Sequence, residues 1–322
     1  ELRPLKLTLP LVEDSAQLRQ LRADEMRWLP AARAIVRGHG YDGARLVPFA
    51  AGTNLVLALN DGLILKIFPP FHRGKFQSER ATLRVLARRL ADVATPELLH
   101  EGARDGWPYL IMTRLDGIPA SDVWPQLPEP DKEHLLRQVG QVIASVQQVP
   151  PGELLALGPL WSGFLREQFT GCHARHQRLG LPPALLAQLG DFLQEAAALL
   201  PWNPQPVILT GEYIPENFLV ERDGEDWRVS GLFDFGDVMT GFAEYDLLGP
   251  SAFMAAGHPG RVRALFEGYG FSPEDITWQL KRRLLALMLL HQASDPVRHI
   301  CIPDWPAKVQ DFDELQALIW PE

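Results

Sequence analysis

The sequence predicts an α+β protein of two lobes, with strands dominating the N-terminal lobe and helices dominating the larger C-terminal lobe. Short apolar runs bounded by turn residues cluster between residues 45 and 112. From residue 129 onward, apolar residues recur mostly at helical spacing, interrupted by one group of short strands between residues 206 and 233. Apolar residues make up 46% of the 322-residue chain, which supports a substantial core and excludes a disordered chain.

The N-terminal part combines helices with a group of short strands. Helical spacing of apolar residues, ended by Gly38 and Gly40, predicts a helix over residues 11–38. Asn60-Asp61-Gly62 is a strong hairpin signal between two apolar runs. Strands are predicted at 45–50, 55–59, 63–68 and 108–112, and a second helix at 75–90.

The C-terminal part is predicted to be mainly helical, with one small group of strands. Helices are expected at 129–148, 161–178, 183–200, 243–256, 260–268 and 273–293. Short strands are expected at 206–209, 218–220 and 229–233. We therefore divide the chain into an N-terminal helical segment (1–41), an N-lobe (42–114) and a C-lobe (115–322).

Charge and cysteine content narrow the range of partners and compartments. The 31 basic and 40 acidic residues give a net charge of −9, which disfavours nucleic acid and anionic membranes and favours a cationic ligand. Two cysteines, Cys172 and Cys301, cannot build a disulfide framework, so a reducing compartment is expected. The chain opens without a recognisable signal peptide, and the apolar run 284–290 is too short to cross a bilayer. We expect a cytoplasmic protein, and the sequence does not indicate its oligomeric state.

The turn Gly52-Thr53-Asn54 lies between two predicted strands. Backbone amides in such a turn can approach phosphate oxygens closely, because glycine places no side chain in the way. An ordinary hairpin can contain the same three residues, so the turn indicates a phosphate site only in combination with the other motifs of the chain. No G-x-x-x-x-G-K-[ST] loop occurs in the chain.

Lys66 lies in the middle of an apolar strand, and Glu79 follows thirteen residues later on the next predicted helix. A buried lysine is costly unless it is paired or used, because an unpaired buried charge is heavily penalised. A Lys–Glu pair of this kind can hold the α- and β-phosphates in a phosphoryl-transfer site. The alternative is an edge-strand lysine whose amine reaches solvent.

Two further segments carry polar residues next to predicted strands. In Leu209–Val220, the acidic residue Glu212 precedes Asn217 by five residues, which is the pattern of a kinase catalytic loop. In Leu232–Asp237, the carboxylate of Asp234 ends a buried strand and is followed by Phe-Gly, which matches a metal-binding D-F-G element. Each segment alone could be a polar turn. All four features together, in this order, favour a phosphoryl-transfer site.

This set of motifs resembles the aminoglycoside phosphotransferases, small-molecule kinases with a protein-kinase-like two-lobed fold. The segment Trp107–Gly117 looks like the inter-lobe hinge of that family, where backbone groups of Thr113 and Leu115 would meet adenine. The closest pattern is that of the hygromycin-B 7''-O-kinase type, which also extends to the segments Leu285–His291 and Leu315–Trp320.

The resemblance implies an ATP- and Mg²⁺-dependent transfer of a phosphoryl group to a hydroxyl of a small molecule. Lys66, held by Glu79, would grip the α- and β-phosphates, assisted by the Gly52-Thr53-Asn54 turn. Asn217 and Asp234 would bind Mg²⁺. Glu212 would orient and deprotonate the acceptor hydroxyl.

Two features bear on the acceptor and on turnover. The carboxylates Glu216 and Asp237, together with the acidic balance of the chain, favour a cationic, aminoglycoside-like acceptor. The family has His-Gly-Asp where this chain has Thr210-Gly211-Glu212, and the extra methylene of Glu moves the carboxylate by about one C–C bond, ~1.5 Å. Two alternatives therefore stay open: a kinase of another small sugar or amino alcohol, and a pseudokinase that binds nucleotide without turnover.

Overall fold

The computed structural model describes residues 8–60 and 62–322. Two segments lie outside the described residues. They are residues 1–7, where no signal peptide was predicted, and Asp61, the middle residue of the predicted hairpin turn. The strands are β1 (Leu46–Pro48), β2 (Leu55–Leu59), β3 (Leu63–Ile67), β4 (Leu98–Arg104), β5 (Trp107–Thr113), β6 (Ile118–Pro119), β7 (Val207–Leu209), β8 (Phe218–Asp223), β9 (Asp226–Leu232) and β10 (Met239–Gly241). The α-helices are α1 (Ser15–Ala23), α2 (Glu25–Gly38), α3 (Arg73–Leu86), α4 (Ala120–Val123), α5 (Glu129–Gln148), α6 (Trp161–Arg178), α7 (Pro183–Ala197), α8 (Leu248–Pro250), α9 (Pro259–Tyr269), α10 (Trp278–Leu290), α11 (Pro296–His299) and α12 (Phe312–Ile319).

The first five strands form one antiparallel sheet in the order β1-β2-β3-β5-β4. Side chains alternate between the two faces of a strand, so Leu65 and Ile67 of β3 point to the face that α1 and α2 cover. Lys66 lies between them and therefore points to the opposite face. The same alternation explains how one strand can be apolar and still present a lysine to a site.

The face of the sheet that carries Lys66 joins the main apolar core of the molecule. Phe68 after β3, Phe76 and Leu83 of α3, and Leu110 of β5 belong to one cluster of buried residues with the C-terminal helices. Helix α5 packs against α9, where a side chain at Gly140 or Gly268 would collide with the backbone of the facing helix. The strand-rich part and the helical part are thus in direct apolar contact.

A three-stranded sheet, β6-β8-β9, positions the polar segments of the C-terminal part. Phe218 pairs with Leu232, so Asn217 precedes β8 at the same end at which Asp234 follows β9. A short antiparallel pair of β7 and β10 lies beside the segment that contains Glu212. The register of these short strands brings together residues that are far apart in the chain.

The α+β, kinase-like fold class is confirmed, and the helices 129–148 and 161–178 have the predicted bounds. The single helix predicted over 11–38 is wrong, because the chain forms two helices that meet at Asp24. The segment 243–256 is not one α-helix; it runs through 3₁₀, short α and π turns. Periodicity cannot separate these helix types over so few residues, since their repeats differ from that of the α-helix by less than one residue per turn. The strands β4, β6 and β10 and the helix α12 were not predicted.

No helix within residues 8–60 and 62–322 combines the length and the apolar character needed to span a bilayer.

Candidate active site

The centre of the candidate site is a buried cluster of one lysine and two carboxylates. Lys66 Nζ lies 2.6 Å from Glu79 Oε2 and 2.9 Å from Asp234 Oδ1. Lys66 and Glu79 are 6% and 2% exposed, whereas the side chain of Asp234 is 42% exposed and faces the open side of the cluster. The structure therefore pairs the lysine that the sequence singled out with both acidic residues.

Electrostatics keep this cluster charged. Burial by itself lowers the pKa of Lys66, but the carboxylates of Glu79 and Asp234 outweigh it and hold that pKa above its ordinary value. The pKa of Asp234 is lowered, chiefly by the charge of Lys66 and also by the backbone N–H of Gly236. At neutral pH the cluster thus presents an ionised carboxylate held against an ammonium group.

Asp234 adopts a left-handed backbone conformation with φ of 67°. Aspartate tolerates this region better than most residues with a side chain, and such conformations concentrate at functional sites. The next residue, Phe235, is 1% exposed and anchors the turn in the main core. The turn thus aims the carboxylate at Lys66 and away from the strand direction.

Asn217 and Asp234 supply oxygen atoms of the kind that Mg²⁺ prefers. Asn217 Nδ2 donates to the carbonyl of Glu212 at 3.0 Å, which leaves Oδ1 as the atom available to a cation. Asp234 uses Oδ1 for Lys66, which leaves Oδ2. Throughout the described ranges, no three His, Cys, Asp or Glu residues form a complete metal site. The donor set fits Mg²⁺, which takes its remaining ligands from phosphates and water.

Glu212, predicted to act as the general base, has a strongly shifted pKa. Burial raises the pKa of Glu212 to about 7, and the nearby carboxylates of Asp237 and Asp234 add to the increase, opposed by Lys75 and Lys66. A base with a pKa near the working pH is suited to accept a proton from a hydroxyl. The pKa of this carboxylate is therefore compatible with proton transfer, although glutamate replaces the aspartate of the family pattern.

The loop that carries Glu212 is held by residues that sequence reasoning missed. Both carboxylate oxygens of the buried Asp246 accept backbone N–H bonds, from Thr210 at 3.1 Å and from Gly211 at 2.8 Å. Burial raises the pKa of Asp246 to about 7, against the effect of these two bonds. The available signal was a pair of acidic residues, Glu244 and Asp246, inside the otherwise apolar and aromatic segment 242–248.

His291, at the end of α10, holds the other side of the same loop. Ala293 N–H donates to Nδ1 at 3.1 Å, so Nε2 carries the proton and donates to the carbonyl of Gly211 at 2.9 Å. The ring stacks on Tyr245 with centroids 4.6 Å apart. His291, at the end of a distant helix, thus supports this loop. Within the loop, Thr210 replaces the histidine of the family pattern.

Lys75 is a further residue that the sequence did not point to. It lies on the first turn of α3, and its Nζ donates to both carboxylate oxygens of Asp237, at 2.6 and 2.7 Å. This ion pair joins α3 to the segment after Asp234. Asp237 was predicted to meet the acceptor, but the structure shows its charge already balanced by Lys75.

The Gly52-Thr53-Asn54 turn is tied to the start of α3. Asn54 is 2% exposed, and its Oδ1 lies 3.0 Å from Nδ1 of His72, so its side chain points inward and leaves only the turn backbone to a ligand. Gly52 and Thr53 are exposed. Gly52 has a φ of 115°, which other residues rarely adopt.

The two predicted hinge residues, Thr113 and Leu115, differ in whether their backbone N–H groups are available to adenine. Thr113 N–H already donates to the carbonyl of Glu97 at 3.0 Å. Among the described residues, the N–H of Leu115 has no such partner. Of the two predicted residues, Leu115 alone therefore offers a backbone N–H to adenine.

A cavity of about 310 Å³ opens beside Glu212 and Gly211. Its walls come from the segment after β10, the end of α10 and the start of α11. Glu216 is exposed and is not part of the lining, so the structure does not bring this predicted acceptor residue to the cavity. A larger groove, of about 480 Å³, lies between α5 and the β8–β9 turn, away from every predicted site residue.

Comparison with protein families agrees with this geometry. The sequence model of the phosphotransferase enzyme family matches residues 45–284, three quarters of the chain, including every predicted site residue. The chain belongs to the phosphotransferase enzyme family. No curated protein sequence matches this phosphotransferase significantly.

Solved structures share the fold of this phosphotransferase at low sequence identity. The GDP complex of aminoglycoside 2'-phosphotransferase-IIIa has 16% identity and a TM-score of 0.63, covering 81% of this chain and 89% of the other. The GDP and kanamycin complex of APH(2")-IIia has 18% identity and a TM-score of 0.60, covering 76% of this chain and 83% of the other. The aminoglycoside phosphotransferase APH(3'')-Id from Streptomyces rimosus has 19% identity and a TM-score of 0.52, covering 82% and 98%. These likenesses establish the kinase-like fold.

Replacing Lys66 with Ala should weaken nucleotide binding or turnover of this phosphotransferase by about 100-fold, because the phosphates lose their positive partner. The protein should stay folded, since Glu79 can take up a proton once its partner is gone. Calorimetric titration with Mg·ATP measures the loss. The double variant Lys66→Ala/Glu79→Gln is the control for the effect of an unpaired buried charge. Unchanged nucleotide affinity and activity in the folded single variant would show that Lys66 is not part of the nucleotide site.

Proposed function

We propose that this phosphotransferase moves the γ-phosphoryl group of ATP to a hydroxyl of a small-molecule acceptor, with Mg²⁺ as cofactor. The observation that carries the proposal is the contact of Lys66 with both Glu79 and Asp234, at 2.6 and 2.9 Å, beside the loop of Glu212. Two unpaired cysteines and the use of ATP support the cytoplasmic location predicted from the sequence.

The roles of the residues follow from their positions. Lys66, held by Glu79, would bind the α- and β-phosphates, while Asn217 and Asp234 would hold Mg²⁺ through Oδ1 and Oδ2. When bound, Mg²⁺ supplies positive charge that offsets the phosphate oxygens. Glu212 takes the proton of the acceptor hydroxyl as its oxygen bonds to the γ-phosphorus. The bond from that phosphorus to the bridging oxygen breaks, and ADP leaves with the electron pair.

The acceptor predicted from the family resemblance is a cationic hydroxyl compound of the aminoglycoside type, as in the hygromycin-B pattern. The net charge of −9 supports attraction of such a compound. One similar structure was determined with GDP and kanamycin, and another with streptomycin and ATP. Both are complexes of other proteins and support the acceptor class by similarity.

A second acceptor class, a small sugar or amino alcohol, has one specific observation in its favour. Of the two carboxylates predicted to attract a polycation, Asp237 is paired with Lys75 and Glu216 lies outside the cavity. The cavity beside Glu212 thus holds fewer free carboxylates than the sequence suggests.

Thermal unfolding of the protein with Mg·ATP, Mg·GTP and candidate acceptors tests the proposal, because ligands that bind the folded state raise its midpoint. Mass spectrometry then tests for an acceptor that has gained one phosphoryl group. Stabilisation by nucleotide together with a phosphorylated acceptor supports the enzyme. Nucleotide binding without product across a broad panel of hydroxyl compounds favours the pseudokinase.

The pKa of Glu212 predicts the pH dependence of the reaction. Glu212 accepts a proton only when ionised, so kcat/KM should rise as the pH rises through about 7, and fall below it. Asp246 has its pKa in the same range, and ionisation strengthens its hold on the loop. The pH profile of Asp246→Asn separates the effect of Glu212 from that of Asp246. If Glu212 causes the rise in kcat/KM, the rise should persist in this variant. A wild-type profile that is flat between pH 6 and 8 would contradict the assignment of the base.

A further inference from the structure

The cavity beside Glu212 is mainly apolar, which is unexpected for an acceptor site that receives a polycation. Its volume of about 310 Å³ lies at the lower end of the range for small-molecule sites. Eight of the fifteen lining residues have apolar side chains: Ile214, Leu248, Ala252, Phe253, Met288, Ala293, Pro296 and Ile300. Water expelled from such walls favours an acceptor that brings apolar surface of its own.

Charge on the cavity lining is sparse. Glu212 and Asp295 are the carboxylates among the described residues that line it. Two histidines also line it, and burial lowers the pKa of His291 to about 4 and keeps that of His299 below its ordinary value, so neither carries a charge at neutral pH. Since Glu212 faces the hydroxyl, Asp295 is left as the carboxylate that can meet an ammonium group.

Asp295 is well placed for that contact. It precedes α11, where its Oδ1 accepts the N–H of Arg298 at 3.3 Å, and it is half-buried at the cavity wall. This bond uses one oxygen of the carboxylate and leaves the other free to accept from an ammonium group.

We propose that the acceptor is an amphipathic alcohol with a single ammonium group: its apolar part fills the cavity, its ammonium meets Asp295 and its hydroxyl meets Glu212. This inference rests on the proposed function and selects the second acceptor class. A compound with several ammonium groups would leave unpaired charges against apolar walls, which is strongly unfavourable.

Binding of a matched series of amino alcohols tests the proposal. The series runs from ethanolamine through 6-aminohexanol to 4-(aminomethyl)cyclohexanemethanol, each with one ammonium. The last two keep six carbons between amine and hydroxyl, so that only apolar surface grows from one to the other; kanamycin serves as the polycation. Calorimetric titration in the presence of Mg·ADP measures affinity without turnover. We expect affinity to rise by at least about tenfold along the series and to exceed that for kanamycin, since burying a methylene in an apolar pocket strengthens binding by about tenfold or more.

Asp295→Asn tests the ammonium contact, because asparagine also caps helices and should preserve α11. The variant should lose about tenfold more affinity for 4-(aminomethyl)cyclohexanemethanol than for cyclohexanemethanol, which lacks the amine. Asp191→Asn removes the same charge from an exposed position of α7 outside the cavity lining, and should show no such difference.

Tighter binding of kanamycin, equal affinities along the series, or an equal loss for both alcohols in Asp295→Asn would overturn the inference. Turnover with Mg·ATP is measured separately. If the binding selectivity holds while no acceptor gains a phosphoryl group, the proposed function fails and the assignment of the cavity stands.

Discussion

Asp234→Asn is expected to lower phosphoryl transfer by about a thousandfold and to abolish most of the Mg²⁺ dependence of nucleotide binding. The substitution keeps the shape of the side chain but removes the charge that faces Lys66 at 2.9 Å. A neutral amide is a much weaker ligand for a hard dication than a carboxylate is. Titration of ATP with and without Mg²⁺, for wild type and variant, measures the effect.

Asp237→Asn is the matched control, because it removes the same charge three residues later from the ion pair with Lys75. We expect it to change the Mg²⁺ dependence far less. The same metal dependence in wild type and Asp234→Asn would mean that Asp234 is only a turn residue.

Glu212→Gln should lower kcat by about a thousandfold and leave the affinity for ATP nearly unchanged, because the proton is accepted mainly in the transition state. Glu212→Asp is the sharper probe. Asp246 and His291 hold the backbone on both sides of Gly211, and Asn217 holds the carbonyl of Glu212 itself. The loop cannot easily move to compensate, so a carboxylate withdrawn by ~1.5 Å should cost about 100-fold in activity.

Pre-steady-state phosphoryl transfer, measured with an acceptor that supports turnover, separates chemistry from product release for both Glu212 variants. An increase in activity for Glu212→Asp would show that glutamate is a drifted residue in a decayed site. If the wild type and both variants bind ATP but phosphorylate no acceptor, the chain is a pseudokinase.

Local sequence was sufficient to predict much of the candidate site. A lysine inside an apolar strand implies a charged partner, and Glu79 lies on the helix that follows this strand. The spacing of Asn217 and Asp234 around adjacent strands could likewise be predicted from strand and turn signals. In each case a short stretch of chain contains both the unusual residue and the reason for it.

Contacts between distant segments could not be predicted in this way. Lys66 meets Asp234 across 168 positions, and Lys75 meets Asp237 across 162. The largely apolar cavity beside Glu212 is assembled from pieces between residues 211 and 300, none of which is unusual alone. Asp237 was assigned to the acceptor because its nearest partner, on α3, cannot be seen from the sequence around it.

The apolar core that begins at Phe68 and Phe76 continues without interruption into the C-terminal helices. Because the sheet packs on this core, unfolding of the sheet exposes apolar side chains of the helices as well, so we expect the two parts to lose structure together on heating. A nucleotide and an acceptor that bind the folded protein would then draw on the same unfolding equilibrium. Each ligand protects the residues that hold the other, so the folded lifetime of this enzyme should follow the supply of both.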